Sequence, residues 1–336
     1  MRWCGTDTLI VIKLRRKMTD TQSIRIIDVN LNRSGEGLRV LEEIARFVIN
    51  DAKLALRFKE LRHKVSMRVL STKLICLSAR QADKDVGEKN RSSFQYSTKS
   101  LAECCVANFR RAQESLRVLE ELAPTLGLEP QLYADSRFEL YTLEKELIGD
   151  ITRRETAKKI RHFYAVIDSN YSNTDNNETR LKELLNRVSI IQLNNASDHK
   201  SGYLSVAKQL RLLCHDRGAL LIIPNHFDVM LAVGADGIIL SRDGMPTVEM
   251  RCLLPIDKLL GRVVTSAEEA SQASAEGADF LLFNGLESLE NEKWLTLGAI
   301  KKAVDLPLVA TGLQTELDIN EAFAGGADAI DLMEAA

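Results

Sequence analysis

The stretch Asn30–Ala45, "NLNRSGEGLRVLEEIA", returns 78 positions later as Asn108–Ala123, "NFRRAQESLRVLEELA". Ten of the sixteen positions are identical: Asn30/Asn108, Arg33/Arg111, Glu36/Glu114, the run Leu38–Glu43 against Leu116–Glu121, and Ala45/Ala123. Chance does not give that match, so the N-terminal part of the chain rests on an internal duplication. Leu38, Leu41, Ala45 and Val48 recur at three- and four-residue steps, the spacing of a helix that buries one face. Asn30 or Asn32 is placed to cap this helix, with Ser34 in its first turn. A second helix runs through "KLALRFKELRHKVSMRVL" (53–70), and a looser stretch, "SARQADKDVGEKNRSS" (78–93), interrupts. The helical pattern restarts at Leu101, and "SRFELYTLEKELIGDITRR" (136–154) closes the region. Residues 24–150 therefore read as an all-α domain of two helical hairpins related by the repeat.

After residue 160 the pattern changes. "HFYAVID", "SIIQLNN", "ALLIIPN", "GIILS", "LLGRVVT", "FLLFNG", "PLVATG" and "AIDLM" are eight short apolar runs, most of them separated by amphipathic helical segments. Continuous apolar strands alternating with helices indicate a parallel sheet covered on both faces. Eight such units in residues 162–336 predict a (β/α)8 TIM barrel, without a full last helix because the chain ends just after the eighth run. Residues 151–161, around "RRETAKKIRH", serve as the connector. The fold class is thus α followed by α/β.

The bulk numbers fit two soluble domains: 336 residues, 45% hydrophobic, 27% charged, net charge −2. That balance offers no electrostatic case for nucleic acid or an anionic membrane. The six cysteines, at 4, 76, 104, 105, 214 and 252, show no CxxC or Cys/His ligand spacing and suit a reducing, cytoplasmic setting. "LIVI" near the N-terminus is too short for a signal core or a membrane span. Residues 1–23 are read as a disordered extension, with Met18 an alternative start to Met1.

The repeated helix carries a charged stripe. Glu36, Arg39, Glu43 and Arg46 lie at helical steps beside the apolar face, and Glu114, Arg117 and Glu121 repeat it. One reading is surface ion pairs, each worth about 0.3–0.5 kcal/mol. The other is a functional stripe, which two copies packed about a pseudo-twofold axis would bring together.

These residues resemble a family. "IDVNLNRSGEGLRVLEEIARF", "ELRHKV", "DVG", "ANFRRAQESLRVLEELA" and "RFELYTLEKEL" are similar, in that order, to the all-helical domain found in front of bacterial thiamine-phosphate synthases. The resemblance implies an ATP-dependent kinase that converts hydroxymethylpyrimidine phosphate to the diphosphate, with ATP and Mg2+ as cofactors. The chain has no GxxxxGK[ST] loop, consistent with a kinase of another design.

Phosphoryl transfer needs cations on phosphate oxygens and carboxylates for magnesium. Arg33, Arg39, Arg111 and Arg117 are the candidates for phosphate. Glu36, Glu43, Glu114, Glu121 and Asp85 are the candidate acids, with the metal ligands themselves unassigned. Asn30 and Asn108 either cap helices or bind the pyrimidine, and Asp85–Gly87 is either a turn or part of the site. Arg62 and Arg137 pair with Glu43 or Glu121, or meet a ligand.

The second half resembles thiamine-phosphate synthase and its relative, the thiazole tautomerase, through "LLIIPNHFDVMLAVGADGIILS", "GADF", "PLVATG" and "AGGADAIDLM". The catalytic positions depart from that pattern. Gln192-Leu193-Asn194-Asn195-Ala196 stands where the family has Gln-Leu-Arg-Glu-Lys. Pro224-Asn225 replaces Asn-Asp, and only a displaced Asp243 follows Arg242 after strand four. Val263 replaces a serine, Val264-Thr265 occupies the tautomerase's histidine region, and the strand-six loop has no lysine before Lys293. The glycine pair after strand seven is reduced to Gly312-Leu313. Gly312 and Gly326, in the Thr311-Gly312 and Gly325-Gly326 loops taken to follow strands seven and eight, are the remaining candidates for phosphate binding through backbone N–H groups; turn geometry alone is the other reading of both.

The leading reading is a thiamine-biosynthesis protein with a helical kinase domain and a degenerate synthase barrel. The alternatives are a divergent active synthase using Arg242, Asp243 and Lys293, and a non-catalytic regulator that binds phosphorylated precursors. The expected partners are phosphorylated pyrimidine and, secondarily, thiazole phosphate. Nucleic acid and membrane are not expected, and a homo-oligomer is left open.

Overall fold

The computed structural model describes residues 21–67, 73–80, 100–169, 175–194, 200–284, 293–313 and 315–332. The chain divides into two units, Met1–Ile151 and Thr152–Ala336.

In the first unit, α1 spans Thr21–Ile44 and ends in a π-turn, Ala45–Ile49, closed by Asn50 in the left-handed region. Then follow α2 (Ala52–Met67), α3 (Lys73–Ala79) and α4 (Leu101–Leu122). A 3-10 turn, Ala123–Leu126, leads to α5 (Gln131–Ala157). The helical hairpins are as read, but four details differ. The helix starts ahead of the expected cap: the apolar residues of "SIRIIDV" extend α1 back to Thr21, so Asn30, Asn32 and Ser34 lie in mid-helix and cap nothing. Ser100 caps α4, accepting a hydrogen bond from the Glu103 N–H at 3.1 Å, so Asn108 caps nothing either. Val48 is exposed, because the π-turn changes the helical period after Ile44. Residues 151–157, expected in the connector, continue α5.

The core of this unit draws on all four long helices: Leu38 and Leu41, Phe58 and Leu61, Phe109 and Leu116, Leu140 and Leu143. The two repeated helices meet in a close approach. A Cβ on Gly37 would lie 3.0 Å from the Asn108 carbonyl oxygen and 3.5 Å from the Ala112 Cβ. Glycine at 37 thus lets α1 and α4 pack backbone to backbone.

In the second unit, eight parallel strands close in sequence order. They are β1 (His162–Asp168), β2 (Ile190–Asn194), β3 (Leu220–Pro224), β4 (Gly237–Leu240), β5 (Leu259–Val264), β6 (Phe280–Asn284), β7 (Leu308–Thr311) and β8 (Ala329–Asp331). Between them run α6 (Asp175–Leu185), α7 (Lys200–Arg217), α8 (Phe227–Val233), α9 (Thr247–Leu253), α10 (Ala267–Ala275), α11 (Lys293–Ala303) and α12 (Glu316–Ala324). Tyr164, Ile190, Ile222, Ile239, Leu259, Phe280, Leu282 and Val309 fill the interior.

The N-terminal floor of the barrel uses one device three times. Gly-Ala-Asp precedes β4, β6 and β8. Asp236, Asp279 and Asp328 each accept the backbone N–H of a neighbouring strand residue, Leu221, Leu260 and Leu308, at 2.9, 2.9 and 2.8 Å. Each also meets a cation: Arg211 at 2.7 Å, Arg251 at 3.0 Å and Lys301 at 2.7 Å. Arg153, in the tail of α5, adds a second guanidinium to Asp279 at 2.8 Å.

No helix among the described residues is long and apolar enough to cross a membrane.

Candidate functional site

Leu38, Leu41 and Ala45 define the buried face of α1, so Arg39 and Glu43 stand beside it on the exposed flank. Arg39 Nε donates to Glu43 at 2.8 Å, and its guanidinium also lies 3.7 Å from Glu42. Glu42, buried, accepts from Arg62 Nε of α2 at 2.8 Å. The second copy repeats this. Arg117 bonds Glu120 at 2.7 Å and Glu121, and Glu120 accepts from Arg137 of α5 at 3.1 and 3.0 Å. Two stations result, Arg39–Glu42–Arg62 and Arg117–Glu120–Arg137. Each is a sheltered carboxylate bridging an exposed arginine to a sheltered one.

Arg62 and Arg137 were expected on Glu43 or Glu121, and the structure corrects this to Glu42 and Glu120. The sequence did carry the signal. Glu42 is four residues after Leu38 and three before Ala45, on the buried side of the helix, where a carboxylate must find a cation. Glu36, Glu43, Glu114 and Glu121 are exposed, as are Arg33 and Arg111. The charged stripes are thus bound within their own copies: Arg39 and Arg117 each reach carboxylates of their own helix. Arg46 lies over the neighbouring Phe47 ring at 4.7 Å.

Asn30 and Asn108 are buried, and each Nδ2 donates to the carbonyl four residues earlier, Ile26 or Cys104, at 2.8 Å. Asn108 Oδ1 accepts from Arg111 at 2.6 Å. Asp85 lies outside the described residues, as does Ala196 of the barrel.

At the C-terminal end of the barrel, where TIM-barrel sites are built, strand alternation turns Asp168, Asn194, Ser241, Val263, Asn284, Thr311 and Asp331 inward. Tyr164, fully buried, donates its hydroxyl to Gln192, and Gln192 Nε2 donates to Asn194 Oδ1 at 2.6 Å. Asn225 takes positive φ and accepts from the Ser241 N–H at 3.0 Å, tying the β3 and β4 loops. Burial pushes Asp331 from its ordinary 3.8 up to about 6.

The cations at this end are engaged. Lys200 pairs with Asp228, Arg242 with Glu269 at 3.1 Å, and Lys293 with Asp318 at 2.5 Å. Arg262 donates to the Met245 and Arg242 carbonyls at 2.9 and 3.0 Å. The segments 170–174, 195–199 and 285–292 contain neither Lys nor Arg. Arg242, Asp243 and Arg262 do line a cleft of about 290 Å³, but the cleft runs along the flank of α10, with Gln272 and Glu276 on its wall. Gly312 follows β7 with φ of 72°, at the expected end. Gly326 does not. It precedes β8, on the opposite floor, where its φ of 103° leaves room for the Lys301 stem against it.

Among the described residues no group of three His, Cys, Asp or Glu side chains could hold a metal ion.

Comparison with known proteins accords with both halves. The ThiD2 family matches residues 25–146, and the thiamine monophosphate synthase family matches residues 163–336. A thiamine-phosphate synthase of Nostoc sp. is 36% identical over 261 residues, covering 76% of this chain and 71% of that protein. One of Synechococcus sp. is 34% identical over 275 residues, covering 80% and 76%. Among solved structures, a thiamine phosphate pyrophosphorylase from Pyrococcus furiosus aligns at 26% identity over 52% of this chain and 86% of that one, with a TM-score of 0.46. The chain therefore belongs to the thiamine-phosphate synthase family and carries a ThiD2 family domain ahead of its barrel.

Proposed function

We propose that this protein acts in thiamine biosynthesis as a kinase, its helical unit phosphorylating hydroxymethylpyrimidine phosphate to the diphosphate with ATP and magnesium. On this reading the barrel has given up synthase turnover. The observation that carries the proposal is recurrence: two exposed arginines, Arg39 and Arg117, stand in the same register of the two copies, each held by a carboxylate that a second, sheltered arginine braces.

The nucleophile in this reaction is a phosphate oxygen of the pyrimidine monophosphate. With a second pKa near 6, it is already anionic at neutral pH and needs no general base. It attacks the γ-phosphorus of ATP, the bond to the β-phosphate oxygen breaks, and ADP leaves with the negative charge. What the protein must supply is positioning and positive charge. Arg39 and Arg117 supply guanidiniums on side chains about half exposed to solvent, and the guanidinium fork suits phosphate oxygens. Arg62 and Arg137 hold those arginines in place through Glu42 and Glu120. Magnesium in such sites takes one or two carboxylates and completes its shell with phosphates and water. The exposed Glu36, Glu43, Glu114 and Glu121 suit that demand, and bound magnesium would neutralise the transferring phosphoryl group.

The test uses the full chain. Given pyrimidine phosphate, ATP and magnesium it should form the diphosphate. Given the diphosphate and thiazole phosphate it should form no thiamine phosphate. Absence of the first product sinks the kinase, and appearance of the second sinks the retired barrel. The relatives named thiamine-phosphate synthase favour a second reading, a divergent but active barrel using Arg242, Asp243 and Lys293. Thiamine phosphate formation that Lys293→Ala or Arg242→Ala abolishes would establish it.

A further inference from the structure

The two stations match in their charges but differ in what surrounds them. One and four residues after Arg62 stand His63 and Ser66; one and four after Arg137 stand Phe138 and Tyr141. Ser66 turns back onto its own helix, donating to the Arg62 carbonyl at 2.7 Å. Phe138 and Tyr141 do the opposite. They stand out from α5 at 62% and 43% exposure, their rings edge to face with centroids 6.0 Å apart. Arg137 lies 5.0 Å from one ring centroid and 5.7 Å from the other, and its Nη1 donates to the Tyr141 hydroxyl at 3.1 Å. The same guanidinium holds Glu120, which holds Arg117. Thus an exposed aromatic pair, fixed in orientation by a cation, is joined through one carboxylate to an exposed arginine.

From this geometry we infer that the second station is the subsite for a phosphorylated flat N-heterocycle. Phe138 and Tyr141 take the ring, and Arg117 takes a phosphate. Aromatic side chains held rigid by a neighbouring arginine stack on a base without losing rotamer freedom at the moment of binding. Arg117, with about half of its side chain in solvent, supplies the charge complement by exchanging its exposed partner Glu121 for a phosphate oxygen. The first station offers one smaller ring, the imidazole of His63, with Ser66 in place of the second, so it lacks the paired stacking surface and the duplicated unit holds two unlike ligands. This inference rests on the kinase reading, whose two substrates, a nucleoside triphosphate and an aminopyrimidine phosphate, both have the required chemistry.

The experiment is calorimetric binding to the full chain, with a non-hydrolysable ATP analogue in one arm and hydroxymethylpyrimidine phosphate in the other. Phe138→Ala should weaken one of the two ligands by roughly 5- to 100-fold, the range that loss of one stacked base gives. Phe138→Trp and Tyr141→Phe keep the rings and should keep the affinity. His63→Ala should leave that ligand unchanged, and the arm that shifts identifies the occupant. Affinities in Phe138→Ala and Tyr141→Ala within about twofold of the parent, at an unchanged melting temperature, would overturn the subsite. So would a change in sedimentation without a change in affinity, which would make the rings a contact between copies. Binding of neither ligand by the parent chain overturns it too. Binding without turnover would sink the kinase reading and leave the subsite standing; turnover with unshifted affinities would sink the subsite alone.

Discussion

The helical unit and the barrel place their charges in opposite ways. In the helical unit Arg39 and Arg117 lie at the surface, each with 53% of its side chain exposed and held by carboxylates of its own helix. On the floor of the barrel, away from the mouth, the ionic groups also hold backbone. Asp279, buried, is gripped by Arg153 and Arg251 and also accepts a strand N–H. The helical unit keeps this charge where a ligand can reach it; the barrel floor uses charge to hold strands in register. The same residue types in the same protein thus do different work according to where the fold leaves their free edges.

The hardest test of that division is at the floor. Burial pushes the Asp279 carboxyl up, against the pull of its two arginines. Replacing it with alanine leaves two sheltered guanidiniums and the Leu260 N–H without their acceptor. Asp279→Ala should therefore cost the barrel about 3–5 kcal/mol, as removal of one partner of a buried pair does. Urea unfolding would measure it. A loss under about 1 kcal/mol, the worth of an exposed pair, would erase the distinction between floor and surface.

The second test is at the stations. Arg39→Ala and Arg117→Ala should each lower kinase kcat by about a hundred- to a thousandfold, the scale for losing one donor aimed at developing charge. Stability should hardly move, because exposed helical pairs contribute only about 0.3–0.5 kcal/mol. Unchanged turnover in both variants, with normal melting, would make the stations structural in both units alike.

Much of this was legible in the sequence. The run "HFYAVID" coincides with β1, and the other seven apolar runs fall on β2 to β8, because strands covered on both faces are apolar without interruption. The duplication announced the two hairpins. What sequence left ambiguous was azimuth and partnership. Glu42 and Glu43 are adjacent and both recur, so identity alone does not say which turns inward; the Leu38–Leu41–Ala45 face does. The start of α1 was misplaced because a polar Asn30 suggests a cap, whereas its amide turns onto its own helix. The threefold Gly-Ala-Asp before apolar runs was visible, but its meaning needs the neighbouring strand's N–H, which only the closed sheet supplies. Gly326 was assigned to the wrong end of β8 for the same reason: a glycine pair looks alike before a strand and after one.

The smallest expected effect sharpens the comparison at the mouth itself. Asp331 ends β8 on the inward face, beside Tyr164 in register, and burial raises its pKa from 3.8 to about 6. A raised carboxyl pKa means that the unfolded chain releases this proton first. Between those two values, increasing pH therefore favours unfolding; the penalty is absent below the lower value and complete above the upper. Asp331→Asn removes the ionisation while keeping the shape. Because the site is only partly sheltered, the variant should be more stable than the parent by about 1–2 kcal/mol at neutral pH and above. That gain should shrink as pH falls through 6 and vanish near 4. Paired thermal melts across this range would read it directly. A gain that persists in acid would mean that the asparagine stabilises through new hydrogen bonds. No gain at any pH would mean that the carboxylate is solvated or already matched by a cation, and the mouth would then be better prepared for an anion than its side chains suggest.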